Sequence, residues 1–362
     1  MQGRTLWITL AFLGITVPGS HPTVGSTGSG FPLGSCEIRM TETLRIDDED
    51  LGPSVATAWV DSDGERIFMV DLFDRQRIAV FDARSGGFLR HLGRGGQGPG
   101  EFTAIAALRV SGDSLLVVDQ RNSRLTVFGP DLQIAREARF PVLSVGSIQP
   151  LSLAPGLGLI MNGWIPTSEA AGMPLHRFSR TGRADLSFGA DSGAGPASAS
   201  GVGTMRILSP RSSSVFWSLR ADEYRMEQWD LESGALIRTT VMEEDWVRDS
   251  YENHEPAVQN PSLFLSIWEE DGRLWVLGAE PEDMSGTAGP PRHGEPGRPR
   301  RDRGEIMDLR LEVVDTASGS ILATQRLPHY AGVFMSTGQL VTFRSMYPPG
   351  QMQIWSVALQ CQ

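Results

Sequence analysis

The sequence predicts an all-β fold: a six-bladed β-propeller of four-stranded antiparallel blades, with the last blade closed by an N-terminal strand. Three observations carry this. A strand–turn–strand unit recurs six times along the 362 residues. Glycine (41) and proline (23) together make about 18% of the chain, too much for a helical bundle and less than the roughly 25–30% of low-complexity disorder. Helical periodicity is all but absent, and the second strands read as near-continuous apolar runs, the signature of sheets buried on both faces. With 40% apolar residues the chain has ample material for a core.

The clearest unit is Ile67-Phe-Met-Val-Asp71, then Ile78-Ala-Val-Phe-Asp82, the turn Ser85-Gly86-Gly87, and Phe88-Leu-Arg-His-Leu92. It returns as Leu115 to Asp119 with Leu125 to Phe128, then as Leu159 to Asn162 with Leu175 to Phe178 and Thr181-Gly182. Further copies run Val215 to Ser218 with Arg225 to Asp230 and Ser233-Gly234, Leu274 to Leu277 with Leu309 to Asp315 and Ser318-Gly319, and Leu340 to Phe343 with Met352 to Val357. The copies start 43 to 65 residues apart, which fits a blade of roughly 40–50 residues plus loop excursions. An irregular β-sandwich is the alternative architecture.

The sixth copy supplies three strands, Gly332 to Ser336, Gln339 to Arg344 and Met352 to Leu359, and the alternating segment Glu37 to Ile46 is the candidate for its fourth. Laid antiparallel beside Met352 to Leu359, that segment brings Cys36 against Cys361, the only two cysteines. A disulfide is the expected result in an exported protein.

Export is read from residues 1–20. Arg4 precedes the apolar run Leu6 to Val17, and Pro18-Gly19-Ser20 follows. A positive start, a short apolar core and a small-residue exit make a secretory signal peptide, and the run is shorter than the ~18 residues that span a bilayer. Residues 21–35 read as a flexible Gly/Ser/Thr/Pro linker, and 36–362 as the single propeller domain. The expected location is periplasmic or extracellular. The alternative is a lipoprotein anchored through Cys36, because Leu33-Gly34-Ser35-Cys36 resembles a cleavage box, although one separated from the apolar run.

Leu92-Gly-Arg-Gly-Gly-Gln-Gly-Pro-Gly-Glu-Phe102, with Val117-Val-Asp-Gln-Arg-Asn122 and Arg124-Leu-Thr-Val-Phe128, resembles the NHL-repeat, TolB-like type of six-bladed propeller over residues 65–130. That resemblance implies a Gly-Pro-Gly-Glu-Phe turn ahead of a new blade and a strand ending in Asp that leads into an Asn-x-Arg turn. Some lyases and lactone hydrolases on related propellers use an axial calcium, for which Asp71, Asp119 and Glu101 would be oxygen donors. Read from the residues alone, both aspartates end a strand and are placed to accept hydrogen bonds from the following turn. Gly93, Gly95 and Gly98 match the dinucleotide fingerprint as a bare pattern, but Pro99-Gly100 follows at once where a phosphate-binding helix would have to start.

Composition narrows the chemistry. All 32 basic residues are arginine, which removes Schiff-base, P-loop and Ser-x-x-Lys lysines. A net charge of −11 opposes a general nucleic-acid surface, and no second apolar stretch is long enough to span a membrane. The six histidines lack zinc-motif spacing. Glu243 to His254 reads as an amphipathic helix over one face, and Trp217, Trp275 and Trp355 as inter-blade core. Between about 280 and 306 an insertion carries Arg292, Arg298, Arg300, Arg301 and Arg303 among prolines. It is either a disordered insertion or an arginine-rich arm for a carboxylate- or phosphate-bearing partner. No catalytic constellation is visible. The expectation is therefore a monomeric, cofactor-free binding platform for a protein or small-molecule ligand at the central channel, with a calcium-dependent hydrolase or lyase as the alternative.

Overall fold

The computed structural model describes residues 36–47, 59–71, 74–141, 143–144, 149–154, 158–165, 167, 170, 172–179, 181–190, 205–211, 213–220, 223–244, 264–281, 307–329, 331–344 and 351–361. Among them every regular element is a strand. The chain begins with β1 (Cys36–Asp47) and builds blade 1 from β2 (Trp59–Ser62), β3 (Arg66–Val70), β4 (Ile78–Asp82) and β5 (Phe88–Leu92). A short parallel pair, β6 (Arg94–Gly95) and β7 (Glu101–Phe102), lies in the passage to blade 2, which is β8 (Ile105–Ser111), β9 (Ser114–Asp119), β10 (Arg124–Phe128) and β11 (Ile134–Arg139). Blade 3 holds β12 (Leu143–Ser144), β13 (Leu151–Ala154), β14 (Gly158–Trp164), β15 (Leu175–Phe178) and β16 (Ala184–Phe188). Blade 4 is β17 (Arg206–Leu208), β18 (Val215–Arg220), β19 (Arg225–Asp230) and β20 (Leu236–Val241). Blade 5 is β21 (Phe264–Glu270), β22 (Arg273–Pro281), β23 (Met307–Asp315) and β24 (Ile321–Leu327). Blade 6 takes β25 (Ala331–Phe334), β26 (Leu340–Phe343) and β27 (Gln351–Cys361), with β1 as its outermost strand.

The fold is the expected six-bladed propeller, and its closure follows the expected register. β1 pairs antiparallel with β27 from Cys36 opposite Cys361 to Asp47 opposite Gln351, and Cys36 and Cys361 are disulfide-bonded. β22 and β23 run further than the apolar pattern indicated, reaching Pro281 and starting again at Met307. The arginines from Arg292 to Arg303, the signal and linker segments, and Asp245 to His254 of the expected helix lie outside the described residues.

Six apolar clusters hold the ring, one at each blade interface. Trp59, Phe68, Ile105 and Val117 belong to the one between blades 1 and 2, and Val60, Phe81, Val333 and Phe343 to the one between blades 6 and 1. Trp217 sits between blades 4 and 5, and Trp275 with Trp355 between blades 5 and 6, as inter-blade core requires. This is why the inner strands bury both faces whereas β5 and β11 on the rim are largely exposed.

In blades 1, 4 and 5 the third and fourth strands are joined by one recurring device. Asp82 Oδ1 accepts from the Ser85 N–H and hydroxyl, Asp230 Oδ1 from those of Ser233, and Asp315 Oδ1 from those of Ser318. The next residue in each turn, Gly86, Gly234 or Gly319, has φ between 73° and 76°, and the strand pairing slips by one residue beside it. The repeated Asp-x-x-Ser-Gly of the sequence is thus an Asx-turn running into a glycine bulge.

Candidate functional site

The antiparallel pairings place the start of each inner strand at the same end as the turn between that blade's second and third strands. We call this end the upper face. There the β3–β4 turn abuts blade 2, because the Ile105 N–H donates to the Arg75 carbonyl at 2.9 Å. The β9–β10 turn abuts the same place, with the Gln120 N–H donating to Ala104 O at 3.1 Å.

The loop from Gly93 to Thr103 is braced from within and from the β9–β10 turn of blade 2. Gly93 has φ 78°, and a Cβ there would lie 2.4 Å from the Phe102 ring. Gly96 has φ 150°, and a Cβ there would lie 2.1 Å from Glu101 Oε2. Glu101 accepts from the Gly98 N–H at 2.8 Å and from Arg94 Nε at 2.9 Å. Asn122 Nδ2 and Thr103 Oγ1 both donate to Gly96 O. The chain then enters β7 and β8 with no helix, so the glycines serve the blade crossing, not a pyrophosphate. Asp119 does what its position implied. Its Oδ2 accepts from Thr103 N at 2.7 Å and Asn122 Nδ2 at 2.8 Å, and its Oδ1 accepts from Ala104 N at 3.0 Å and from the Arg121 and Asn122 N–H groups. Among the described residues, no three His, Cys, Asp or Glu side chains gather as a metal site would need.

The axis itself is filled by polar side chains that the sequence pattern did not reveal. Blade 3 splits its inner strand into β12 and β13, and the chain between them carries Gln149 across the channel. Gln149 Nε2 donates to Phe334 O of blade 6 at 2.7 Å, its Oε1 accepts from the Ile267 N–H of blade 5 at 3.0 Å, and its carbonyl accepts from Leu208 N of blade 4. Asp61 links blades 1, 2 and 6 beside it, and the wholly buried Arg109 donates from Nε to Leu151 O of blade 3 at 3.1 Å. Burial pushes the Arg109 pKa down, and the Asp61 charge offsets part of that. Between blades 3 and 4, the buried Arg206 Nε pairs with Glu227 at 2.7 Å. Between blades 4 and 5, the Tyr224 hydroxyl donates to Glu312 at 2.6 Å, and burial first, then that carboxylate, holds the phenol well above its usual range.

Above this plug, at the upper mouth, the Arg75 guanidinium lies over the Trp59 ring, 5.1 Å from its centroid. Arg75 Nε donates to Ile105 O at 2.7 Å, fixing the plane of the group. Arg121 stands on the neighbouring turn. Burial, followed by the Arg121 charge, lowers the Arg75 pKa against a partial offset from Asp119. Sequence reading missed this constellation, since Trp59 lies on β2 and Arg75 in the β3–β4 turn, and only the packing of that turn on the inner strands joins them. A hollow of about 390 Å³ lined by Asn122, Arg124, Glu137 and Arg139 opens on the outer part of blade 2.

A family described as six-bladed β-propeller, DUF5128, matches residues 57–152, which span blades 1 and 2 and the start of blade 3. The solved structure of a DUF4221 member from Bacteroides vulgatus superposes with a TM-score of 0.57 at 11% identity, covering 90% of this chain and 99% of its own. A putative exported protein from Bacteroides fragilis superposes with a TM-score of 0.53 at 8% identity, covering 92% and 98%. No curated protein sequence matches. At such identities the likeness is one of fold.

Of the described histidines, His91 packs at a tilt against Phe88 at the rim, while His176 is buried in blade 3. His176 Nδ1 lies 2.8 Å from Ser187 Oγ, and its Nε2 lies 3.2 Å from Gly163 O. Burial lowers its pKa to about 4, partly offset by the Gly163 carbonyl. The folded value lies below the unfolded value near 6.5, so the stability it confers is complete above that pH and is lost as pH falls toward 4. We expect His176 to account for about 2–3 kcal/mol of the stability lost between pH 7 and pH 4.5. Urea midpoints at the two pH values should converge in His176→Gln, and an unchanged difference would refute the assignment.

Proposed function

We propose that this chain is an exported six-bladed propeller that serves as a rigid binding platform, with its ligand taken at the upper mouth of the central channel. One observation carries the reading: the axis is closed by Gln149 and its neighbours, while a half-buried guanidinium, Arg75, is clamped on Trp59 at the upper face. A plugged axis gives no passage and leaves the upper face as the place to take a ligand. Rigidity comes from six blades that lock one another through their inter-blade cores, so the mouth is pre-formed and little ordering is lost on binding.

Export rests on the signal-like residues 1–20, on a disulfide that an oxidising compartment would maintain, and on the fold likeness to the putative exported protein from Bacteroides fragilis. The domain runs from Cys36, with residues 21–35 as a tether, and a bridged Cys36 has no thiol left to carry a lipid. The arginine-rich insertion of 280–306 would be a second docking element for an acidic partner.

The test is elemental analysis of the purified mature protein together with ligand retention in Arg75→Glu. Stoichiometric calcium or zinc would overturn the platform in favour of a hydrolase or lyase. Absence of stoichiometric metal, with a co-purifying ligand lost at least tenfold in Arg75→Glu at an unchanged melting temperature, is the expected result.

A further inference from the structure

The geometry points to a carboxylate-binding subsite at the upper mouth, built from the terminal amino groups of Arg75 and the side chain of Arg121 above the Trp59 ring. This deepens the platform reading and rests on it.

The donors of Arg75 are unequally used. Its Nε is committed to Ile105 O, and its flat face rests on Trp59, so the guanidinium cannot swing away. Among the described residues its two terminal amino groups have no acceptor. They form a coplanar pair spaced for the two oxygens of one carboxylate, the arrangement that makes arginine the residue of choice for bidentate recognition. Beneath them the Trp59 indole Nε1 is buried with no acceptor, so the mouth is short of acceptors at two neighbouring positions.

Nearby acids are already engaged. Asp119 spends both oxygens on four backbone N–H groups and the Asn122 amide. Asp74, on the Arg75 turn, pairs with Arg77 at 2.5 Å. Arg121 makes no side-chain ion pair or hydrogen bond among the described residues, and its turn touches Ala104, next to the Ile105 that holds Arg75. Two arginines therefore stand near each other with only Asp119, whose oxygens are already engaged, offsetting their charge, on a chain whose net charge is −11. Like charges so placed repel, and a bound anion relieves the repulsion. One planar edge without an acceptor plus one exposed cation matches a carboxylate on a larger ligand, the edge taking both oxygens and Arg121 adding charge.

The probes are N-acetylglycine, its neutral amide and inorganic phosphate, titrated into the ¹⁵N-labelled mature protein while the Trp59 indole N–H resonance is followed, assigned with Trp59→Phe. The expected result is a saturable shift with N-acetylglycine and none with the amide. The dissociation constant should rise at least tenfold in Arg75→Gln, rise less in Arg121→Gln, and stay unchanged in Arg77→Gln. Equal response to acid and amide, or wild-type binding in Arg75→Gln, would overturn the subsite. Tighter binding of phosphate than of N-acetylglycine would overturn the carboxylate class. The acid–amide comparison is made in the wild-type chain and stands even if Arg75→Gln does not fold. A protein that ignores all three probes and holds no metal sinks the subsite alone, whereas one that ignores them and carries stoichiometric calcium or zinc sinks the platform as well.

Discussion

Replacing both Cys36 and Cys361 by serine is expected to destabilise the propeller by up to ~5 kcal/mol, the upper end of what one bridge contributes in the chain-entropy model. The bridge joins residues 325 apart in sequence, so the reduced unfolded chain regains nearly the whole conformational freedom of the domain. The native state changes little, because β1 stays paired to β27 along its length and Ile38, Met40, Trp355 and Leu359 stay packed on the cluster between blades 5 and 6. Two signatures follow in urea unfolding. The midpoint falls, and the m-value rises because a chain without the cross-link exposes more surface. Reduction of the wild type should reproduce both. A midpoint within error of the oxidised protein would refute the argument.

How far the sequence foretold this molecule depends on the kind of signal. Strand repeats, the Asp-x-x-Ser-Gly turns and the Cys36–Cys361 register were legible because each is local or fixed by strand alternation: once Glu37 to Ile46 lies beside Met352 to Leu359, the terminal cysteines must meet. The Asp119 capping role was legible for the same reason, since its donors at Arg121 and Asn122 lie in the turn that follows it. The axis was not. Asp61, Arg109 and Gln149 find their partners 42 to 275 residues away, and no periodicity encodes such distances. Gln149 lies outside any strand and leaves no trace, whereas for Asp61 and Arg109 the trace is a charged residue in a largely apolar inner strand, as in Trp59-Val-Asp61 or Ala107-Leu-Arg109-Val110. Such a residue is ordinarily read as a break in the pattern. In a ring of parallel inner strands it is the position that faces the other blades.

Asp61 gives that reading its strongest consequence, and Asp61→Ala is expected to cost about 3–5 kcal/mol, the range for breaking one member of a buried charged network. Its carboxylate is fully buried. Oδ1 accepts from the Ser336 N–H and Ser336 Oγ, both at 2.8 Å, and from Ser62 N at 3.0 Å, while Oδ2 accepts from Val110 N at 2.8 Å. Alanine would leave these donors without an acceptor and would remove the charge that offsets burial of Arg109. Asp61→Asn should recover only part of the loss, since one of its two positions becomes an N–H facing another N–H. The ring is thus closed twice between blades 6 and 1, at the rim by β1 and the disulfide, and at the axis by Asp61. Both act on the same seam, so their removals should couple despite the distance between them. A double-mutant cycle of Asp61→Ala with the Cys36/Cys361 serine pair, read by urea midpoints, is expected to depart from additivity by about 1 kcal/mol or more. Strict additivity would mean that rim and axis hold the seam independently.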